Sequence, residues 1–399
     1  MANIQKRGDG SYFFTVSLGR GPDGKYKRAT KTYRPERKMT PKQMKEHIEH
    51  EYMKFKEEIR SGVYVSPEKM TFEAFTHEWR KKYADNELSE TALLGHLSRL
   101  ENHILPVIGH VRMDQINSMM LLTLLSSLSR KDGKEGSLSN YMKEDIYKTL
   151  KNVFKHAAKW KVTATNPMDG VNKPRDKNEE SKDVSVYEPE EVAALLTAAQ
   201  NEPLHWRIFI TLAIVAGVRR GENLGIEWPL VDFTNNTVDV SQSIVKGLNG
   251  AIIKTPKSKS SRRLISLPPS VMEELRLFRI QWVSDRLKMG DKWTEHEREW
   301  LFCKEDGKHF YPTTPTKWWK GFTERAGVRY IRLHDLRHTS ATLLIAKGVH
   351  AKIISERLGH SSIKITMNTY GHALRSADEA AGNTFESLFA PSVDSGKLM

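Results

Sequence analysis

The sequence predicts a multidomain α+β chain, and three observations carry that prediction. At 399 residues it is too long for one typical core and suits two or three domains. Its hydrophobic period changes from alternation near the N-terminus to helical spacing after Thr71. A charged run without apolar anchors, Asn172-Lys173-Pro174-Arg175-Asp176-Lys177-Asn178-Glu179-Glu180-Ser181-Lys182, then separates a third part from the second. The expected order is a small sheet with one helix, an all-helical part, and a mostly helical part with a small β-sheet or hairpin.

Each element has a local reason. Residues 11–18 alternate as a strand, Gly21-Pro22-Asp23-Gly24 is a turn, and residues 25–33 return as a basic strand. Thr40-Pro41 starts a helix, with proline at its first position, that runs to about Arg60. A short linker spans Gly62 to Pro67. From Thr71 to about Ala164, Phe72, Phe75 and Trp79, then Leu93, Leu97, Leu100 and Ile104, recur at three and four residues. Further helices are expected over Ser118–Leu128 and Ser139–Lys159, with a loop at Gly133–Gly136. The third part opens at Tyr187-Glu188-Pro189-Glu190-Glu191, a helix start. An apolar helix at 205–217, a hairpin region at 237–267 and helices at about 269–285, 313–327 and 335–345 follow. Within the hairpin region, residues 252–267 read as two strands joined by a basic turn. The last dozen residues lack periodicity and read as a tail.

Composition narrows the function classes. Hydrophobic content of 38% with 28% charge indicates a soluble, folded protein. The one cysteine, Cys303, allows no internal disulfide and no cysteine-rich zinc module. No HExxH-type spacing is present, so no zinc site of that kind is expected. The first residues lack a signal-peptide core, and no run reaches the roughly twenty apolar residues of a membrane helix. A reducing bacterial cytoplasm, with no membrane partner, is the expected location. The formal charge is +14, and residues 1–45 hold twelve Lys and Arg against three Asp and Glu, a net +9. Charge that dense attracts nucleic acid or an anionic membrane, and strands with interleaved cations can enter a major groove. A merely solubilising segment is the bland alternative.

The chemistry concentrates near the C-terminus. His334-Asp335-Leu336-Arg337-His338-Thr339 precedes Leu358-Gly359-His360-Ser361-Ser362 and then Tyr370-Gly371-His372. His334 and Arg337, three apart on a helix, can converge on one phosphate, and arginine's planar fork suits two of its oxygens. His-x-x-Arg alone is a common pattern, however, and a histidine after Gly359 is usually harmless. Ser361 and Ser362 can equally form a helix cap. Tyr370, with a reference pKa of about 10, needs cations or a base to act as a nucleophile. Upstream, Ala216-Gly217-Val218-Arg219-Arg220-Gly221-Glu222 brings arginine to the end of an apolar helix, and Glu222 reads as a structural partner of a buried arginine. On the basic turn of residues 252–267, a lysine can protonate a leaving 5′ oxygen or merely touch phosphates.

Taken together, these segments resemble a known family. Ala216–Glu222, the stretch Pro256-Lys257-Ser258-Lys259-Ser260-Ser261-Arg262-Arg263, His334–Thr339, Leu358–Ser362 and Thr366-Met367-Asn368-Thr369-Tyr370-Gly371-His372 follow the order of the tyrosine recombinases. The likeness is to integrases of phages and conjugative transposons with an arm-binding N-terminal domain. It implies an arm-type DNA-binding domain at 1–62 (a three-stranded sheet with a helix), a helical core-binding domain at 68–170, a catalytic domain at 184–385 and a tail at 386–399. It also implies a site-specific recombinase that cuts and rejoins DNA through a 3′-phosphotyrosyl intermediate, integrating and excising a mobile element. In that reading Tyr370 is the nucleophile, Arg219 and Arg337 hold the non-bridging oxygens, Lys257 is the general acid, His334 assists proton transfer and His360 bonds the phosphate. Arg219 is preferred to Arg220 because it lies two after Gly217. The turn after Lys257 is about one residue longer than in compact members, so Lys259 is an open alternative. The implied partners are double-stranded DNA at core and arm-type sites, copies of the chain in a tetramer on DNA, and an accessory excision factor or host DNA-bending protein. A type IB topoisomerase, or a DNA-binding factor without chemistry, would explain fewer of these segments.

Overall fold

A computed structural model describes residues 4–8, 10–20, 26–35, 40–60, 70–130, 138–174, 185–255, 262–364 and 366–367. The chain divides into two compact units, Met1–Asn178 and Glu179–Met399.

The first unit opens with a three-stranded antiparallel sheet in the order β1 (Ile4–Lys6), β2 (Tyr12–Arg20), β3 (Tyr26–Tyr33), followed by helix α1 (Pro41–Arg60). Alternation sends Phe14 and Val16 to one face, where they meet Ile48 and Phe55 of α1 in a small core. Phe13 falls on the other face, where the Arg7 guanidinium lies 4.2 Å from its ring centroid. The paired strands and the helix match the sequence expectation, and β1 completes the three-stranded sheet implied by the family likeness.

The remainder of this unit is helical. Thr71 caps α2 (Phe72–Trp79) by accepting the Ala74 N–H, and a π turn leads into α3 (Asp85–Glu87). Then come α4 (Glu90–Arg99), a second π turn, α5 (Leu105–Ile108), α6 (Ser118–Ser126) and α7 (Asn140–Lys159). Phe72, Phe75, Trp79, Leu93, Leu100 and Ile104 are buried, as are Ile146, Leu150, Val153 and Phe154 of α7. Two polar side chains on this seam are paired: Trp79 donates to Asn152 at 3.2 Å, and His96 meets the Thr149 hydroxyl at 3.0 Å. The expected turn at 21–24, the linker at 62–67 and the loop at 133–136 lie outside the described residues.

The second unit begins at α8 (Pro189–Ala199), whose start is closed by Glu191 accepting the Glu188 N–H at 2.9 Å. Next come α9 (Leu204–Val215), the short α10 (Arg220–Leu224), β4 (Val231–Asp232), β5 (Thr237–Val240), β6 (Ser243–Lys246), β7 (Ala251–Lys254) and β8 (Arg263–Ser266). Helices α11 (Pro269–Met289), α12 (Thr314–Arg325), α13 (Asp335–Ala346) and α14 (Ala351–Leu358) complete the described elements. Eight residues of α9 are buried, including Phe209 and Ile210 at 0% exposure, so α9 is the axis of the unit's core.

One expectation is corrected. Residues 252–267 do not form a hairpin: β7 pairs with β6, whereas β8 pairs with β5 in the sheet β4-β5-β8. The reversal falls earlier, where the Gly247 N–H donates to the Gly250 carbonyl and Gly250 takes a φ of 138°. Ile265 is then drawn into the core beside Val238, while Leu264 points outward at 70% exposure. The connecting residues 256–261 lie outside the described set, as does everything after Met367.

Candidate active site

The C-terminal end of α9 sets the site. Apolar packing carries the helix to Ala216, and Gly217 then turns the chain at a φ of 61°. A Cβ at this glycine would lie 2.5 Å from the Leu358 side chain and 3.1 Å from the Ser340 hydroxyl, so α13 and α14 both press on the turn. Two residues later, Arg219 is the N-cap of α10.

Glu222 gathers two arginines around one buried carboxylate. It accepts the Arg219 backbone N–H at 2.9 Å, Arg219 Nη1 at 2.6 Å and Arg263 Nη2 at 2.9 Å. Burial alone would raise its pKa, but the hydrogen bond and charge of Arg263, with the charge of Arg219, hold it below the ordinary carboxylate range. Of the two cations, Arg263 is buried at 7% side-chain exposure, whereas Arg219 reaches outward at 40%.

Arg337 comes from the first turn of α13. It is buried, and its Nη1 donates to the Gly217 carbonyl at 2.8 Å. The start of α13 is fixed by buried Asp335, which accepts from Arg332 through the backbone N–H at 3.1 Å and the side chain at 2.9 and 3.0 Å. Thr339 adds a tie to the start of the unit by accepting the Tyr187 N–H at 3.1 Å. His334 is the N-cap of α13, and its ring centroid lies 5.5 Å from that of His338.

His360 follows the left-handed Gly359 that ends α14. Its N–H donates to the Ser355 carbonyl at 2.9 Å, and its Nδ1 meets the Thr366 hydroxyl at 2.8 Å, which fixes the ring. Ser362 acts as a local cap, accepting the Lys364 N–H at 3.2 Å. The Gly359 carbonyl in turn accepts Arg219 Nη2 at 3.3 Å.

Electrostatics couple these pieces to one another. Burial first, then the charges of Arg337 and Arg219, pushes His360 down to about 4. His334 is lowered by burial and then by Arg337, with Arg219 acting in the same direction. Burial and His334 push His338 down to about 4. At neutral pH the histidines are therefore uncharged, able to accept a proton and to donate one hydrogen bond each. The arginines supply the cationic charge, and an open cleft of about 510 Å³ with Arg219, Glu222, Arg332 and His334 in its wall adjoins them. Such a pocket can grip an anionic diester and move a proton beside it.

Arg219, His334, Arg337 and His360, drawn from three separated segments, are thus brought together. Arg220 lines the same cleft and donates to the Thr316 hydroxyl at 2.8 Å. Lys257, Lys259 and Tyr370 lie outside the described residues. The sequence predicts a buried arginine beside Glu222 without identifying it; it is Arg263, whose signal is the buried acid's need for a second cation.

Known proteins resemble the chain in both sequence and fold. Residues 185–376 match the sequence model of the Phage integrase family, and residues 71–129 match its N-terminal SAM-like domain. A tyrosine recombinase XerC-like protein of Caldanaerobacter subterraneus subsp. tengcongensis is 29% identical over 97% of this chain and 98% of its own length. The ICEBs1 integrase of Bacillus subtilis is 30% identical over 61% of this chain and 64% of its own. In fold, the chain resembles the Tn1549 transposon integrase solved with transposon right end DNA, with a TM-score of 0.64, 19% identity, and coverage of 80% of this chain and all of that one. It also resembles a lambda integrase dimer bound to a core site, with a TM-score of 0.55, 18% identity, and coverage of 92% and 94%. With matches to both the catalytic-domain model and the N-terminal SAM-like domain model, the chain belongs to the phage integrase family of tyrosine recombinases.

Proposed function

We propose that this chain is a site-specific DNA recombinase that cuts and rejoins duplex DNA through a 3′-phosphotyrosyl intermediate, integrating and excising a mobile element. The observation that carries the reading is the convergence of Arg219 and Arg337 with neutral His334 and His360. In the reaction, Tyr370 attacks the scissile phosphate, its oxygen bonds to phosphorus, and the bond to the 5′ oxygen breaks. Lys257, or Lys259 in its place, gives that oxygen its proton. Negative charge gathers on the non-bridging oxygens in the transition state, where Arg219 and Arg337 stabilise it, each worth about 10²–10³ in rate by analogy with other preorganised donors. His334 assists proton transfer and His360 holds the phosphate. Attack by another strand's 5′-hydroxyl reverses the step, so the bond energy is conserved in the covalent link.

The remaining assignments follow the same reading. Residues 1–62 bind arm-type sites, residues 68–170 bind the core site with the catalytic domain at 184–385, and residues 386–399 form a tail. The basic N-terminal strands support the first assignment. A lambda integrase tetramer has been solved on a Holliday junction, and the fold likeness to it, with a TM-score of 0.54, supports assembly of this chain as a tetramer on DNA. An accessory excision factor or a host DNA-bending protein completes the set of partners, and the enzyme acts at the bacterial nucleoid.

A core-site duplex nicked near the cleavage point tests the reading. The wild-type protein is expected to leave a covalent protein–DNA adduct on a denaturing gel, and Tyr370→Phe to leave none. An adduct formed by Tyr370→Phe would remove Tyr370 as the nucleophile.

A further inference from the structure

Arg263 is a buried cation to which the proposed reaction gives no role. It opens β8, two residues past the segment that holds Lys257 and Lys259, and its backbone is in register with Val240 of β5. Its side chain turns inward: Nη2 donates to Glu222 at 2.9 Å, and Nε donates to the Arg357 carbonyl in the last turn of α14 at 2.6 Å. Nη1 lies so close to Gly359 that a Cβ there would be 2.8 Å from it. Arg263 therefore touches the carboxylate that binds Arg219 and the helix end from which His360 emerges.

The division of Glu222 between two arginines has an electrostatic consequence. One carboxylate oxygen takes Arg219 Nη1, and the other takes Arg263 Nη2 with the Arg219 backbone N–H. With Arg263 in place, two guanidinium charges share one carboxylate charge, and net positive charge remains for an incoming phosphate. Without it, Glu222 would neutralise Arg219 alone and be free to draw it away from the Gly359 carbonyl. The low pKa of Glu222, to which Arg263 contributes, accords with a carboxylate kept ionised by this cation.

We infer that Arg263 is a positioning residue for strand cleavage, acting through Glu222 to keep Arg219 aimed at the scissile phosphate and its charge only partly countered by the shared carboxylate. The inference rests on the recombinase function proposed for the chain. It predicts that Arg263→Met loses about 10²-fold in single-turnover cleavage of the nicked core-site duplex, the scale of a lost transition-state donor. Core-site binding in a mobility-shift assay should change less than about threefold, because the effect falls on the transition state rather than on docking.

A double-mutant cycle separates this role from general scaffolding. Added to Arg219→Ala, Arg263→Met should cost little further rate, because its effect runs through the missing group. Arg263→Lys, which keeps the charge, should recover part of the loss. Should Arg263→Met fail to fold, Arg263→Gln, which keeps a hydrogen-bond donor at this position without the charge, carries the same cycle. Multiplicative losses in the double mutant would overturn the inference. Rescue of Arg263→Met by a 5′-phosphorothiolate would also overturn it, since that leaving group needs no proton and rescue would route the effect through the lysine. A wild-type protein that forms no adduct would instead defeat the recombinase reading, independently of Arg263.

Discussion

Replacing Gly217 with alanine tests whether the turn after α9 is required by both backbone and packing. The left-handed conformation, at a φ of 61°, costs a residue with a Cβ roughly 1–2 kcal/mol. The new methyl would also sit 2.5 Å from the Leu358 side chain, which is fully buried with Ile354 and Ala341 and has little room to yield. Overpacking of this kind costs about 1–3 kcal/mol, for a combined loss of about 2–5 kcal/mol. In a unit of this size, 1 kcal/mol moves Tm by about 2–4 °C, so the catalytic unit's transition should fall by roughly 4–20 °C in calorimetry of the full chain. Gly348→Ala is the internal comparison, since its φ is 73° but nothing lies within 4 Å of the added Cβ. It should show only the backbone part, about 1–2 kcal/mol. Because the Gly217 carbonyl holds Arg337, covalent adduct formation by Gly217→Ala should also drop at temperatures where the variant is fully folded. A Gly217→Ala protein that melts within a degree of wild type and cleaves at the wild-type rate would refute the reasoning.

Three further predictions bear on pH, the general acid and the N-terminal sheet. His338 is pushed down to about 4 in the folded chain, so below the unfolded value of about 6.5 the unfolded state takes up protons that the folded state refuses. Stability is therefore unaffected by this group above pH 6.5 and falls as pH drops toward 4; His338→Gln should melt with a shallower pH dependence, and an unchanged slope would refute the assignment. Between Lys257→Ala and Lys259→Ala, only the loss of the true acid should be rescued by a 5′-phosphorothiolate substrate, and rescue of both or neither would defeat a single-lysine mechanism. Deleting residues 1–60 should spare cleavage of an isolated core site while weakening binding to arm repeats and flattening its salt dependence; equal loss of both would sink the domain division.

Much of this architecture is legible in the sequence because it rests on local signals. The spacing of Phe72, Phe75 and Trp79 defines one helix face, and Thr71 supplies its cap within three residues. Ser139, likewise, caps α7 by accepting the Met142 N–H. The hairpin error has a different origin. Ile252 and Ile265 each alternate as strand residues should, but alternation says nothing about which neighbour a strand selects; register with Val245 and Val238 decides that. The site shows the same limit. Arg219 and Arg337 stand in recognisable strings, whereas nothing around Arg262-Arg263 shows which arginine goes inside. The partners of Arg263 lie 41 residues upstream at Glu222 and 94 downstream at Arg357, and only the folded chain brings them together.

The two carbonyls that hold the arginines have one more consequence. Gly217 follows the C-terminus of α9 and Gly359 that of α14, so each arginine is tethered at the negative end of a helix dipole. In the proposed reaction, these ends stand in for part of the phosphate's charge before DNA arrives. An unattached arginine surrenders about 2 kcal/mol of rotamer entropy when it is fixed, and here folding has already ordered both side chains. In the proposed reaction, a diester then meets two arginines that are already ordered.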